Sequence, residues 1–264
     1  MTKGCRQATM SFFSPPANKP DMTPAPVPQT HPRRAWFITG TDTGIGKTYV
    51  ACALLHALRQ QGFSAIGMKP VAAGTEADGR NDDVEALLAA SSLAAPRALV
   101  NPYLFADPVA PHLAAAETGV TMDAATVRAA LAELAPQADA LVVEGVGGFL
   151  VPLGEGFDSA DLARALGLPL ILVVGMRLGC LNHALLTVEA IRARGLPLAG
   201  WIANRIDPAM ARFDDNLAAL RQRIDAPLLG VIPHALPGGP AAAARRLTLP
   251  DHGIAMDSGP ADQP

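Results

Sequence analysis

The stretch "WFITGTDTGIGKTYV", Trp36 to Val50, decides the fold. An apolar run stops at Gly40, small and polar residues follow, and Gly46-Lys47-Thr48 closes the motif. Trp36–Thr39 reads as a buried strand and Lys47–Gln61 as a helix. A loop at that junction wraps backbone N–H groups around phosphate oxygens. Its lysine reaches the β- and γ-phosphates and the following hydroxyl serves Mg²⁺. The strict pattern G-x-x-x-x-G-K-[ST] is not met, because Thr41 stands where its first glycine belongs and Gly40 lies one residue early. The alternative is an ordinary glycine-rich strand-to-helix turn. The placement of Gly-Lys-Thr where phosphate binding needs it favours the phosphate loop.

The rest of the chain narrows the class. It has 264 residues, half of them hydrophobic, enough for a sizeable core. A formal charge of −3 with no dense basic block argues against a nucleic-acid binder held by phosphate contacts. No apolar run reaches the length of a membrane span. Cys5, Cys52 and Cys180 are widely spaced and form no disulfide or zinc pattern, which fits a reducing cytoplasm. Residues 1–33 are rich in proline and lack periodicity, and are expected to be a disordered tail with no secretory signal. Residues 34–236 are expected to form one domain, and 237–264, with "PGGP" and "DSGPADQP", a loosely ordered segment.

Between the tails, strands and helices alternate. Strands are expected at 64–70, 138–145, 168–175, 196–204 and 226–233. Helices are expected at 82–91 with Asp82 as cap, 121–135 with Thr121 or Asp123 as cap, 181–195 ending at Gly195, and 208–224. "ALVV" and "LILVV" are short, apolar and β-branched, as in parallel strands buried on both faces. The pattern predicts an α/β fold, a parallel sheet with helices on both faces. In such sheets ligands sit at the carboxyl ends of the strands.

The residues at those ends carry chemistry. Lys69 follows the second strand; it is either a functional cation or a solvent-exposed strand terminus. Asp83 lies in the next crossover, where helix capping is the competing explanation. Glu144 ends an apolar strand opposite the phosphate loop, a usual place for a Mg²⁺ carboxylate. Gly145, Val146 and Gly147 follow it and let backbone approach a ligand. Mg²⁺ prefers few carboxylates with phosphate oxygens and water, and Thr48, Asp83 and Glu144 make such a set. At Gly179–Asn182 a helix begins, offering free N–H groups to a carboxylate or phosphate. Cys180 at that helix start invites a lowered thiol pKa, but only His183 is near in sequence, so Cys–His catalysis is the weaker idea. Asn204, at a strand end, either bonds a nucleobase or satisfies loop backbone.

In this order, "GTDTGIGKT", "KPVAAG", "VEGVGG", "LGCLNHALLT" and "GWIAN" resemble the dethiobiotin synthetase family, over about residues 35–235. The resemblance implies a three-layer P-loop NTPase fold, a homodimer with active sites at the subunit interface, and ATP, Mg²⁺, CO₂ and 7,8-diaminopelargonic acid as ligands. It implies a carbamate formed on one amine, activated by the γ-phosphate as a carbamic–phosphoric anhydride, and closed to a cyclic urea by the other amine. It makes Lys69 and Lys47 the catalytic lysines, and Thr48, Asp83 and Glu144 the metal positions. Gly44, Ile45, Gly46, Lys47, Thr48 and Tyr49 form the ATP loop, with Gly145, Val146 and Gly147 beside the phosphates. Asn204 and Arg205, with Pro233, His234 and Ala235, match the base contacts. Ala73 and Thr75 match the substrate loop, and Gly179, Cys180, Leu181 and Asn182 the turn that receives the substrate carboxylate from the second subunit.

Three departures stand out. Ala73 replaces a frequent serine, "LPGGP" lacks an acidic residue that selects adenine in some members, and Gly44 replaces an acidic residue. The second of these predicts broad nucleotide choice. Two rivals share the fold. Amidating synthetases of cobalamin biosynthesis carry a glutaminase domain for which this chain has no room. Regulatory ATPases of chromosome partitioning and cell division have a second lysine in the loop, at the position Asp42 occupies here.

Overall fold

The computed structural model describes Met1 and residues 34–250. The expected tail at 2–33 and the stretch 251–264 lie outside the described residues. In chain order the elements are β1 (Arg34–Gly40), α1 (Lys47–Gln60), β2 (Ala65–Met68), β3 (Val71–Ala73), α2 (Asp82–Ala90), α3 (Arg97–Val100), β4 (Tyr103–Phe105), α4 (Pro111–Thr118) and α5 (Ala124–Leu134). Then come β5 (Ala140–Glu144), β6 (Pro152–Gly154), β7 (Phe157–Asp158), α6 (Ser159–Leu166), β8 (Leu170–Met176), α7 (Cys180–Ala193), β9 (Leu198–Arg205), α8 (Phe213–Arg223), β10 (Leu228–Ile232) and α9 (Gly239–Ala243).

Six strands form one sheet in the order β10-β9-β8-β1-β5-β2, and every pairing in it is parallel. Successive residues of β1 serve opposite cores, as period-two geometry requires. Trp36 and Ile38 pack with α1 and α9, whereas Ala35 and Phe37 pack with α4, α5 and α6. A third cluster joins β8 and β9 to α7 and α8 through Val174, Met176, Trp201, Val188 and Leu220. Helices therefore cover both faces, and β1, β5 and β8 are buried nearly throughout. That is the expected three-layer α/β architecture. Each strand of the sheet ends where a functional residue was expected.

The local differences have physical causes. Asn81, not Asp82, caps α2: its backbone is extended and its side chain accepts from the Val84 N–H. Asp82 is already the first helical residue. Of the two caps expected for α5, Asp123 serves, accepting from the Thr126 N–H at 2.7 Å. The helix expected from 208 begins only at Phe213, because Asp207 takes the Ala209 N–H into a turn and Arg212 adopts left-handed backbone. Residues 239–246, expected to be loose, form α9 and a 3₁₀ turn that bury Ala243 and Ala244 against α1.

Several features were not anticipated, the short α3 among them. The stretch after Lys69 is a short strand, β3, parallel to β4. Residues 111–118 form α4, with proline in its first turn and Gly119 closing it in left-handed backbone. Pro152–Asp158 form a hairpin. It leads into α6, which opens with a reciprocal capping box between Asp158 and Asp161.

That box gives a pH-dependent expectation. Burial would raise the Asp158 carboxyl, but the Asp161 N–H and Arg194 override it and hold it below the ordinary aspartate value. A depressed carboxyl contributes stability that is present above its unfolded value, near 3.9, and lost as pH falls through the folded one. Asp158→Ala is expected to cost about 1–2 kcal/mol at pH 7. Urea denaturation at pH 7 and pH 3 checks it: the gap between variant and parent should shrink in acid, and an unchanged gap would show that the charge of Asp158 is not what α6 uses.

Candidate functional site

The phosphate loop begins where β1 ends. Gly44 and Gly46 have φ of 72° and 83°, a region that costs a residue with a Cβ about 1–2 kcal/mol. Gly46 is also the N-cap of α1 and contributes no side chain, so the first-turn N–H groups of a 14-residue helix open into the loop. A Cβ on Gly46 would lie 2.4 Å from Asn204 Nδ2. Asn204 comes this close because its amide donates to the Ile45 carbonyl at 2.7 Å. Of the two roles open to Asn204, bracing the loop is the one its NH₂ performs. Its side-chain carbonyl has no protein partner among the described residues.

Beneath the loop, side chains from four segments meet. The Thr48 hydroxyl lies 2.7 Å from Asp83 Oδ1 and 2.8 Å from Glu144 Oε1. Lys69 Nζ donates to Asp83 Oδ2 at 2.9 Å and to Glu144 Oε1 at 2.6 Å. Lys69 is 3% exposed and Glu144 fully buried, so Lys69 is no solvent-exposed strand terminus. The Asn101 amide supports it from behind by donating to the Lys69 carbonyl at 2.6 Å. Lys47, also buried, donates to the Asp42 carbonyl at 2.9 Å.

The charges in this cluster are mutually dependent. Burial pulls the Lys47 ammonium down to about 8, helped by the like charge of Lys69 and opposed by the carboxylates. Burial also works against Lys69, but Glu144 and Asp83 overcome it and hold the ammonium above its ordinary value. Burial raises Glu144, and Lys69 offsets only part of that. Asp83 stays low because Lys69 and Thr48 outweigh its burial.

The donor set fits a small, hard divalent cation. A hydroxyl has one proton, so Thr48 donates to only one of its two carboxylate neighbours at a time. Glu144 Oε2 is buried without a partner. One hydroxyl and two carboxylates are the few oxygen ligands Mg²⁺ takes when phosphates and water supply the rest.

Two clefts open from the loop. The first, about 340 Å³, is lined by Thr43, Gly44, Gly46, Lys47, Thr48, Lys69, Ala73, Asp83, Glu144, Val146 and Gly147, with Ala72 and Asn81. The second, about 410 Å³, is lined by Tyr49, Asn204, Arg205, Pro233, His234 and Ala235 among others, and shares Gly44 and Gly46 with the first. The two clefts therefore meet at these glycines. Thr43, Ala72 and Asn81 were missed by sequence reasoning. The cue for Asn81 was available: an Asx residue just before an acidic first turn.

Other expected residues stand apart. Gly145 lines neither cleft; its N–H donates to the Ile38 carbonyl at 2.9 Å, and a Cβ there would meet Phe37. Arg205 lines the second cleft, but its guanidinium is turned to the Asp207 and Pro208 carbonyls and lies over the Phe213 ring. Thr75 lines neither cleft and donates its N–H to Ala106. Gly179, Cys180, Leu181 and Asn182 also line neither cleft; they form the start of α7. Cys180 is buried, and burial raises its thiol in spite of the helix N–H groups, which corrects the expected lowering.

The contact between Gly46 and Asn204 can be measured. Gly46→Ala is expected to weaken binding of an ATP analogue more in the parent than in an Asn204→Ala background, where only the backbone strain remains. Calorimetry on the four proteins gives the coupling. Strictly additive losses would mean that the two side chains do not meet.

Residues 34–239 match a family described as an AAA domain. The ATP-dependent dethiobiotin synthetase BioD of Aromatoleum aromaticum is 66% identical over 82% of this chain and 98% of its own length. The protein of the same name from Nitrosospira multiformis is 56% identical over 76% and 88%. A solved structure of the septum site-determining protein MinD from Pyrococcus horikoshii, complexed with Mg-ADP, aligns with a TM-score of 0.49 at 17% identity, covering 80% of this chain and 89% of that one. No activity is carried over from that structure. With relatives this similar along nearly their whole length, the chain belongs to the dethiobiotin synthetase family.

Proposed function

We propose that this ATP-dependent ligase forms dethiobiotin from 7,8-diaminopelargonic acid and CO₂ with the cluster around Lys69 as its catalytic centre. The observation that carries the reading is the meeting of Thr48, Asp83, Glu144 and Lys69 directly beneath the phosphate loop. Thr48, Asp83 and Glu144 would hold Mg²⁺, which when bound neutralises phosphate charge. Lys47 would leave the Asp42 carbonyl to reach the β- and γ-phosphates.

The chemistry then follows from positioning. One substrate amine attacks CO₂, forming a carbamate and releasing a proton. A carbamate oxygen takes the γ-phosphoryl group as the bond to ADP breaks. The second amine attacks the carbamoyl carbon, inorganic phosphate leaves, and the cyclic urea closes. Phosphoryl transfer needs alignment and charge neutralisation more than covalent help. The ammonium of Lys69, fixed by two carboxylates at the end of β2, supplies a pre-oriented positive charge for the carbamate and the transferring phosphoryl group. Ala73, on the wall of the same cleft, would face the diamine, and Asn204 with Pro233, His234 and Ala235 would line the base.

The α7 turn would receive the substrate carboxylate in a neighbouring subunit. Two observations support a dimer of this kind: the turn lines neither cleft of its own chain, and Leu178 and Leu186 beside it are 92% and 62% exposed. Light scattering should report a dimer, and an active monomer at assay concentration would overturn this arrangement. No described helix is long and apolar enough to cross a membrane. The unpaired Cys52 and Cys180 support a cytoplasmic location.

The two lysines are expected to fail differently. Lys47→Ala should weaken ATP binding and turnover together. Lys69→Ala should bind ATP nearly normally but lose about 100–1,000-fold in kcat, the effect of removing one charge-stabilising group. Calorimetry and product analysis separate the two. Normal turnover in Lys69→Ala would leave the lysine as a structural partner of Glu144 alone.

A further inference from the structure

The phosphate loop and the start of α7 are far apart in sequence, yet four contacts join them along the end of β8. The Thr41 N–H donates to the Val173 carbonyl at 3.1 Å, and the Gly175 N–H donates to Thr41 Oγ1 at 3.3 Å. Ile45, the buried residue of the loop, sits on Gly175: a Cβ there would lie 2.5 Å from Ile45 Cγ2. Beyond them, Arg177 pairs with Asp42 at 2.6 Å. Arg177 is also the first residue of the turn, since its carbonyl accepts the Cys180 N–H at 3.0 Å.

Asp42 is the centre of this arrangement. One carboxylate oxygen accepts the Thr43 N–H at 2.7 Å, the other takes Arg177, and its backbone carbonyl holds the Lys47 ammonium. One residue thus fixes the loop backbone, the resting place of the phosphate lysine and the entry of α7. When nucleotide draws Lys47 off that carbonyl, the change falls on a residue ion-paired to the turn. A lysine at position 42, as in the switch-type ATPases of this fold, would repel Arg177 instead of pairing with it.

We propose that Asp42 and Arg177 are positioning residues that couple the phosphate loop to the α7 turn, so that a nucleotide in the loop changes the affinity of the turn for the carboxylate of the diamine. This rests on the assignment of those two sites under the proposed function. If the turn serves a neighbouring subunit, the coupling runs between subunits. Neither residue needs to touch a reacting atom.

The test measures diamine binding to the full chain by calorimetry, with and without a saturating non-hydrolysable ATP analogue. In the parent, the analogue should tighten diamine binding. In Arg177→Ala that gain should shrink by about two- to fivefold, the scale of a half-exposed ion pair. Asp42→Asn should behave likewise, the double variant should be no worse than either single one, and Arg177→Lys should restore most of the gain. Two controls establish the sites: Lys47→Ala should lose analogue binding, and Asn182→Asp, which sets a negative charge against the carboxylate in the turn, should lose diamine binding. If either control binds normally, the site assignment falls and the coupling with it. If both controls lose binding and Arg177→Ala keeps the full gain, or changes only the melting temperature, the coupling alone is overturned.

Discussion

Glu144 is a carboxylate with no exposure at all, placed at the end of the interior strand β5. An ion so buried loses several kcal/mol of hydration and stays charged only beside a partner. That partner is Lys69, itself buried and dependent on Asn101 and Asp83 for its position. The single requirement therefore reaches through β2, α2, the residues after α3 and the first turn of α1. A cluster with two carboxylates, one hydroxyl and one fixed ammonium is poor as a stabilising device, because apolar residues of the same volume would pack as well. Its value lies in being charged before any ligand arrives. The structure keeps this small volume polar against an otherwise apolar core.

The sheet was legible because its strands are short, apolar and separated by helices of clear period. β1, β5 and β8 are the stretches in which both faces are buried, and both-face burial is written as an uninterrupted apolar run. Lys69, Asp83 and Glu144 were legible for a related reason: a charged residue at the end or in the crossover of such a run has few structural roles to fill. β3 and β4 were not legible. Each has three residues, and their pairing across more than thirty positions of chain leaves no local signature. Asp158 and Asp161 signal α6, but with eight residues the helix is too short to show a clear period. The start of α8 was misplaced because Asp207 and Arg212 divert the backbone through hydrogen bonding and left-handed geometry that periodicity does not encode. The interlock of Gly46 with Asn204 could not be read at all, since it is a distance between residues from opposite ends of the domain.

The loop itself shows how a departure from a consensus is absorbed. With Thr41 in place of glycine, its hydroxyl becomes a hydrogen-bond acceptor for Gly175. The loop gains a second anchor to β8, beside the bond from the residue-41 N–H to the Val173 carbonyl that a glycine would also make. Gly44 then supplies the left-handed turn that the first glycine does not. The chain solves the same geometric problem with its freedom placed three residues later.

The packing of α9 and the turn after it against α1 sets an order on synthesis. α1 carries the phosphate loop at its start, and one stretch of its buried surface is completed only by Ala243 and Ala244. On a ribosome, that surface stays uncovered until residues 239–246 have been made. Among the described residues, the first helix to emerge is thus among the last to be sealed, so the nascent protein passes through a long interval with an assembled sheet edge and an open flank. Nucleotide captured in that interval would bind a loop whose helix still lacks its back wall. The back wall of that helix is complete only when residues 239–246 arrive.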